Sequence, residues 1–256
     1  MAWERNVVIK SQPEIEIMQA AGRINALALK AVREAIRPGV STAVLDKIAE
    51  TVIRDHEAIP AFLGYPGPTP YPGTINACLN EEMVHGLPSA RTVKEGDLVS
   101  IDCGTIYQGF VADSAFSVGV GEVSKEVKQL LEVTEKSLEI GISKMLAGNR
   151  VGDVSAAIQE YVESFGYHVP REYTGHGVGR TMHEGPQVPN YGLPGRGMVL
   201  RPGLTIALEP MVLVGTPRTK VLSDQWTVVS IDGSHTAHYE HSVAVTEGKP
   251  LILTQV

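Results

Sequence analysis

Residues 96–118 read GDLVSIDCGTIYQGFVADSAFSV, two β-rich runs either side of Tyr107-Gln108-Gly109. A turn-forming tripeptide between alternating strands predicts a β-hairpin. With an even-numbered loop, residues whose numbers sum to an odd value share a face. Asp102 and Asp113 therefore point the same way as directly opposed or diagonal neighbours, with Cβ atoms about 5–8 Å apart. Two aspartates taken at random are usually solvated surface groups. Held this close on one face they repel, and a bound cation is the natural compensation.

The same grammar returns further along. Gly96 lies six residues before Asp102 in GDLVSID, and Gly203 six before Glu209 in GLTIALE; ADSAFSV, with Asp113, aligns with YEHSVAV, with Glu240. Two helical pairs precede these strands. Ser11-Gln-Pro-Glu14 forms a capping box ahead of Ile17, Ala21, Ile24, Ala28, Ala31 and Ala35. Pro38-Gly39 stops that helix, and Ser41 caps the next, striped by Val44, Leu45, Ile48 and Val52. After Ser124, Val127, Leu131, Leu138, Ile142 and Met145 line a third helix up to Gly148-Asn149. Asp153 caps a fourth, with Val154, Ile158, Val162 and Phe165. Each pair leads into a Gly/Pro-rich stretch holding a His three residues before a Pro, His85 with Pro88 and His183 with Pro186.

The expected architecture is α/β (α+β), one domain over residues 1–256 with pseudo-two-fold halves at about 11–120 and 124–250. Two halves are too few and too long for a solenoid. A chance match is the competing reading, because a helix pair followed by strands is a common pattern. If the halves are related, each places two carboxylates at their shared interface, where sites commonly form.

Glu209 and Glu240 lie in apolar strand contexts, LTIALEPMVLV and HYEHSVAV, where a lone charge is expensive to bury. His176, within Gly175-His176-Gly177-Val178-Gly179, adds a nitrogen on a loop whose backbone can come close to a site. This run lacks the Lys-Ser/Thr ending of a phosphate loop. Four carboxylates and a neutral imidazole carry four negative charges, which two divalent cations neutralise. Oxygen-rich ligation suits Mn, Fe, Co, Zn or Mg. Paired cations about 3.5–4 Å apart activate water and polarise carbonyls, so hydrolysis is the expected reaction class. His85 and His183 are candidates for the surrounding shell or for substrate contact, whereas His56, His168 and His235 have no such context.

Composition limits the alternatives. A formal charge of −7 disfavours nucleic-acid binding, which needs clustered Lys and Arg. The two cysteines, Cys78 and Cys103, form no CxxC pair and fit a reducing cytoplasm. Met1–Lys10 carries Glu4 and no apolar core of signal-peptide length, and no run approaches the ~20 apolar residues of a membrane span.

These residues resemble the metal-dependent methionine aminopeptidases of type I. NEEMVHGLPS, SIDCG, VADSAFSV, TGHGVGRTMHEGPQVPNYG, LEPMV and YEHSVAV occur in the family's order over about Ser11 to Thr254. The resemblance implies the pita-bread fold, with helices packed on a curved antiparallel sheet. It also implies removal of the initiator methionine from nascent polypeptides that have a small second residue. By this likeness Asp102 binds one metal, Asp113 and Glu240 bridge, and His176 and Glu209 bind the other, the ions being Co, Mn, Fe or Zn. His85 faces the substrate amine, His183 the scissile carbonyl, and Glu209 also handles the proton of the attacking water.

Tyr65, Trp226, Phe62 and Tyr71 resemble the walls of the family's methionine pocket. Many relatives have cysteines near the positions of Phe62 and Asn76, and Pro66–Pro70 is lengthened. Relatives also hold a monovalent cation near the positions of Asn80 and Thr236. No insertion of type II length separates Glu209 from Trp226. A cytoplasmic monomer is expected, and any ribosome contact falls to the catalytic domain itself. The chain's own start, Met1-Ala2, satisfies the small-second-residue rule. Two rival readings stand beside this one. An Xaa-Pro peptidase of the same fold shares the ligand types but carries a large N-terminal domain, for which the helix beginning near Ser11 leaves no room. A non-catalytic module on this scaffold typically loses ligands that are all present here.

Overall fold

The computed structural model describes residues 6–256; the readings made above on Met1, Ala2 and Glu4 lie outside them. Helices α1 (Gln12–Ala35) and α2 (Thr42–Asp55) come first. They are followed by β1 (Ile59–Pro60), β2 (Ile75–Leu79), β3 (Glu82–Val84), β4 (Leu98–Tyr107) and β5 (Phe110–Gly119). The second helical pair is α3 (Lys125–Ser143) and α4 (Val151–Glu163). The remaining strands are β6 (Thr174–Gly177), β7 (Glu184–Pro189), β8 (Thr205–Leu208), β9 (Met211–Leu213), β10 (Thr219–Val221), β11 (Val228–Ser230), β12 (Thr236–His238), β13 (Glu240–Ala244) and β14 (Leu251–Ile252).

The main sheet runs β1-β4-β5-β13-β8-β6-β7, with β2 also on β4 and β14 also on β13. All its pairs are antiparallel. Strands β4 and β5, which carry the first pair of carboxylates, thus abut β13 and β8, which carry or deliver the second. The β4–β5 hairpin closes through Gln108-Gly109, both at positive φ (48° and 78°), as a tight two-residue hairpin turn requires.

Alternation across the sheet separates core from site. Ile101, Cys103 and Phe116 turn toward the helices, together with Ile206, Leu208 and Val243. Asp102 and Asp113 turn the other way. Behind them, the buried Asn25 of α1 donates through Nδ2 to Cys103 O (2.7 Å) and Ser114 Oγ (2.7 Å). Its Oδ1 accepts from Thr105 Oγ1 (2.8 Å), so α1 is clamped to the hairpin from the helix side.

Helix boundaries and faces depart from the sequence expectations. The buried stripe of α1 is Ile15, Met18, Ala21, Ile24, Ala28 and Val32, so Ile17, Ala31 and Ala35 sit at its margin. In α2, Leu45, Ala49 and Ile53 are buried and Val44 is half exposed. Helix α3 stops at Ser143, and Met145 is buried in the following turn rather than on the helix. Asn149 donates to Lys144 O (2.9 Å), occupying a carbonyl just past the helix end. Asp153 is not the N-cap of α4. Arg150 holds that place, and Asp153 accepts its N–H (2.7 Å) from the third helical position. Among the described residues, no helix is long and apolar enough to cross a membrane.

Candidate metal centre

Register places the carboxylates. Asp102 pairs with Ala115 and Gly104 with Asp113, so the two aspartates are diagonal neighbours on one face of the hairpin. Ala115 pairs on its other side with Glu240, setting Asp102, Ala115 and Glu240 in one row across three strands. The β8–β13 ladder ends at Leu208–His241, which leaves Glu209 and Glu240 as the next residues on either side. His176 lies opposite Ala207, two residues from Glu209 on the same face. Where β5 and β13 part, Ser242 Oγ accepts from Asp113 N–H and donates to Asp113 O, both at 2.9 Å.

The five expected ligands therefore converge on one cavity of about 280 Å³. His176 Nε2 is 3.5 Å from Glu209 Oε1 and 3.9 Å from Asp113 Oδ2. Buried polar groups are ordinarily hydrogen-bonded. Five described buried side-chain atoms have no partner, and four of them are here: Asp102 Oδ1, Asp113 Oδ1, Glu240 Oε1 and His238 Nε2. Two groups of side chains in the cavity could hold an ion, Asp113-His176-Glu240 and Glu209-His238-Glu240, the ligand atoms of each lying within 4.8 Å of one another; Asp102 stands in neither. Hard oxygen donors with imidazole nitrogen suit divalent first-row metals.

Electrostatics agree. Burial raises the Asp102 carboxyl to about 7 even though Asn76 donates to its Oδ2 (2.7 Å). Burial, then the neighbouring Glu240 and Asp102, push Asp113 well above the ordinary range. Glu209 is raised by burial and by the two aspartates, and Glu240 by burial, Glu209 and Asp102. Cations are the groups that would hold such a set ionised. His176 is lowered to about 3 by burial and by His183, so its imidazole is neutral and able to ligate; its Nδ1 lies 3.0 Å from Gly177 O.

The remaining expected site residues line the same cavity. His183 stands at the mouth, its ring 4.3 Å from that of His176 and its Nδ1 2.7 Å from the Tyr65 hydroxyl. His85, at φ +60°, is lowered to about 4 by burial and by His183. Phe62, Tyr71 and Trp226 form an aromatic wall with edge-to-face contacts, centroids 6.5 Å and 5.1 Å apart in sequence. The Tyr71 hydroxyl is fixed by Gly86 O (2.9 Å) and Ile75 O (3.1 Å). The Pro66–Pro70 segment lies on this wall. Thr69 Oγ1 accepts from Trp226 Nε1 (3.3 Å), and a Cβ at Gly67 would stand 2.3 Å from the indole.

Two contributions escape the sequence reading: the bond of Asn76, read there only as a position where relatives carry cysteine, to Asp102, and the presence of His238. Asn76 sits in a wholly buried strand, and a neutral amide there gives no charge signal. His238 is two residues before Glu240 and shares its face, a relation that alternation could have disclosed. His56, His168 and His235 do not line the cavity. Cys78 and Cys103 are buried free thiols.

Residues 16–247 match the model of metallopeptidase family M24. The chain is 49% identical to a methionine aminopeptidase of Clostridium acetobutylicum over 97% of its own length and 98% of that protein. It is 47% identical to methionine aminopeptidase 1 of Bacillus subtilis over 98% and 100%. The crystal structure of a methionine aminopeptidase from Thermotoga maritima superposes with a TM-score of 0.95 at 46% identity, covering 98% of this chain and all of that one. A prolidase from Pyrococcus horikoshii, 24% identical with a TM-score of 0.79, shares the fold over 64% of its own length. The two-halved sheet is therefore the pita-bread fold. The matched span runs from α1 to beyond β13 and takes in all five converging residues, and the chain belongs to metallopeptidase family M24, among its methionine aminopeptidases.

Proposed function

We infer that the protein hydrolyses the first peptide bond of polypeptides that begin with methionine, at a centre holding two divalent cations. The observation that carries this reading is the convergence of Asp102, Asp113, His176, Glu209 and Glu240 beneath an aromatic pocket in one cavity. When bound, such cations polarise the scissile carbonyl and lower the pKa of water. Asp102, Asp113, Glu240, His176 and Glu209 are the residues that would hold them, and Glu209 is the group that would take the proton of the attacking water.

Phe62, Tyr65, Tyr71 and Trp226 enclose the unbranched methionine side chain, whose polarizable sulfur suits aromatic edges. In this reading His85, which lines the same cavity, contacts the substrate amine, and His183 the oxygen of the scissile carbonyl. A small second residue, nascent chains as substrates, a cytoplasmic monomer and any approach to the ribosome belong to the same reading. So does a single catalytic unit, supported by one sheet continuous through both sequence halves. A monovalent cation near Asn80 and Thr236 is also part of it; Thr236 N–H donates to Asn80 O there (2.9 Å).

The test is a metal-stripped sample reconstituted with Co, Mn, Fe or Zn and offered Met-Gly-Met and Xaa-Pro dipeptides. Metal-dependent release of Met from the tripeptide alone is the expected result. Cleavage of the Xaa-Pro bond instead would assign the site to the prolidase-like branch of the fold.

A further inference from the structure

His238 has no part in the five-ligand set, yet its ring is built into the floor of the site. Its backbone is held on both sides by one hydroxyl: Ser117 Oγ accepts from His238 N–H and donates to His238 O, both at 2.9 Å. That bracket fixes where the side chain starts. The buried Nε2 has no hydrogen-bond partner, an expensive arrangement unless something else occupies its lone pair.

Its surroundings repeat those of His176. His176 Nε2 is 3.5 Å from Glu209 Oε1 and 3.9 Å from Asp113 Oδ2; His238 Nε2 is 3.7 Å from Glu209 Oε2 and 3.7 Å from Glu240 Oε2. The two oxygens of Glu209 thus face two different imidazoles. A separation of 3.7 Å is too long for a hydrogen bond. It is close to the ~3.4 Å expected between two ligands bound about 2.1 Å from one cation at a tetrahedral angle.

We propose that His238 Nε2 is a sixth protein ligand, completing with Glu209 and Glu240 a second nitrogen-bearing cation position beside that of His176. The inference rests on the metal-centre reading above. A second imidazole shifts the centre's preference from Mn toward Co, because imidazole favours the later metals more than carboxylate does.

The test uses the full-length protein loaded with Co(II) and proton NMR of the ligand imidazoles. Each coordinated ring shows one exchangeable, strongly shifted N–H line. The wild type should show two, one of which disappears in His238→Gln and the other in His176→Gln. By titration, His238→Gln should weaken cobalt binding by more than the roughly 10- to 100-fold that loss of a partner behind a ligand costs, while weakening manganese binding less. A single shifted line in the wild type overturns the proposal whether or not the variants fold, as do two lines that both survive in His238→Gln. Equal weakening for both metals would reduce His238 to a structural residue and also overturns it. Failure of the wild type to bind cobalt at all would overturn the metal-centre reading itself, and this ligand with it.

Discussion

The Tyr65 hydroxyl lies 2.7 Å from His183 Nδ1, joining a wall residue of the apolar pocket to the imidazole at its mouth. Burial lowers the pKa of His183 and raises that of Tyr65, so at neutral pH the imidazole is neutral and the phenol keeps its proton. With that proton donated to Nδ1, the hydrogen of His183 sits on Nε2, free to donate to a developing oxyanion. His183→Ala should therefore lower kcat on the order of 10² to 10³ with a smaller effect on KM. Tyr65→Phe removes the orienting bond alone and should cost roughly fivefold in kcat, the equivalent of about 1 kcal/mol. Steady-state kinetics decide, and a change confined to KM would make His183 a ground-state binding residue.

Asn76 donates to Asp102 Oδ2 at 2.7 Å and fixes the orientation of that carboxylate. Asn76→Ala should weaken binding of one metal on the order of 10-fold, as loss of an orienting partner does. Asp113→Ala leaves the other carboxylates facing one another and should abolish activity and reduce bound metal. Metal analysis after gel filtration measures both, and two tightly bound ions with full activity in Asp113→Ala would exclude the centre as described.

Asp102 is raised to about 7, and the three other carboxylates are raised as well. Between about pH 4 and 7 the metal-free fold therefore holds protons that the unfolded chain lacks. This contribution to apo stability is present at low pH and is lost as pH rises through the folded pKa. A cation must displace those protons, so metal affinity should fall as pH drops below about 7 and binding should release protons. Calorimetry in buffers of different ionisation enthalpy reads the proton count; no release at pH 6 would contradict the shifts.

A Cβ at Gly177 would lie 2.1 Å from the backbone oxygen of Gly185, on the neighbouring strand β7. Neither backbone can yield without disturbing the strand that carries His176. Gly177→Ala should destabilise the apo-protein by about 1–3 kcal/mol. It should also weaken metal binding. An unchanged urea midpoint would show that β6 has more freedom than the ladder implies.

What was legible in the sequence follows from short-range physics. The face shared by Asp102 and Asp113 came from residue parity and a two-residue turn, and the four helices from caps and apolar spacing. Which residues of a helix are buried was less legible, because packing against the sheet selects the stripe: α1 buries Ile15 and Met18, leaving Ile17 at the edge. Helix α3 ends at Ser143, and Asn149 reaches back to Lys144 O, a local bond that spacing does not reveal. Tyr65 is legible as pocket wall, but its bond to His183 spans 118 residues and exists only in the folded chain.

The most direct measurement is kcat/KM of the metal-reconstituted protein for Met-Ala-Ser, Met-Leu-Ser and Lys-Ala-Ser. The aromatic pocket should accept Met and reject Lys, whose charge would be desolvated against Phe62, Tyr71 and Trp226. A large second residue should be disfavoured, so Met-Ala-Ser should be cleaved fastest, Met-Leu-Ser slowly and Lys-Ala-Ser not measurably. Equal values for the three peptides would contradict methionine-specific hydrolysis and leave a general aminopeptidase.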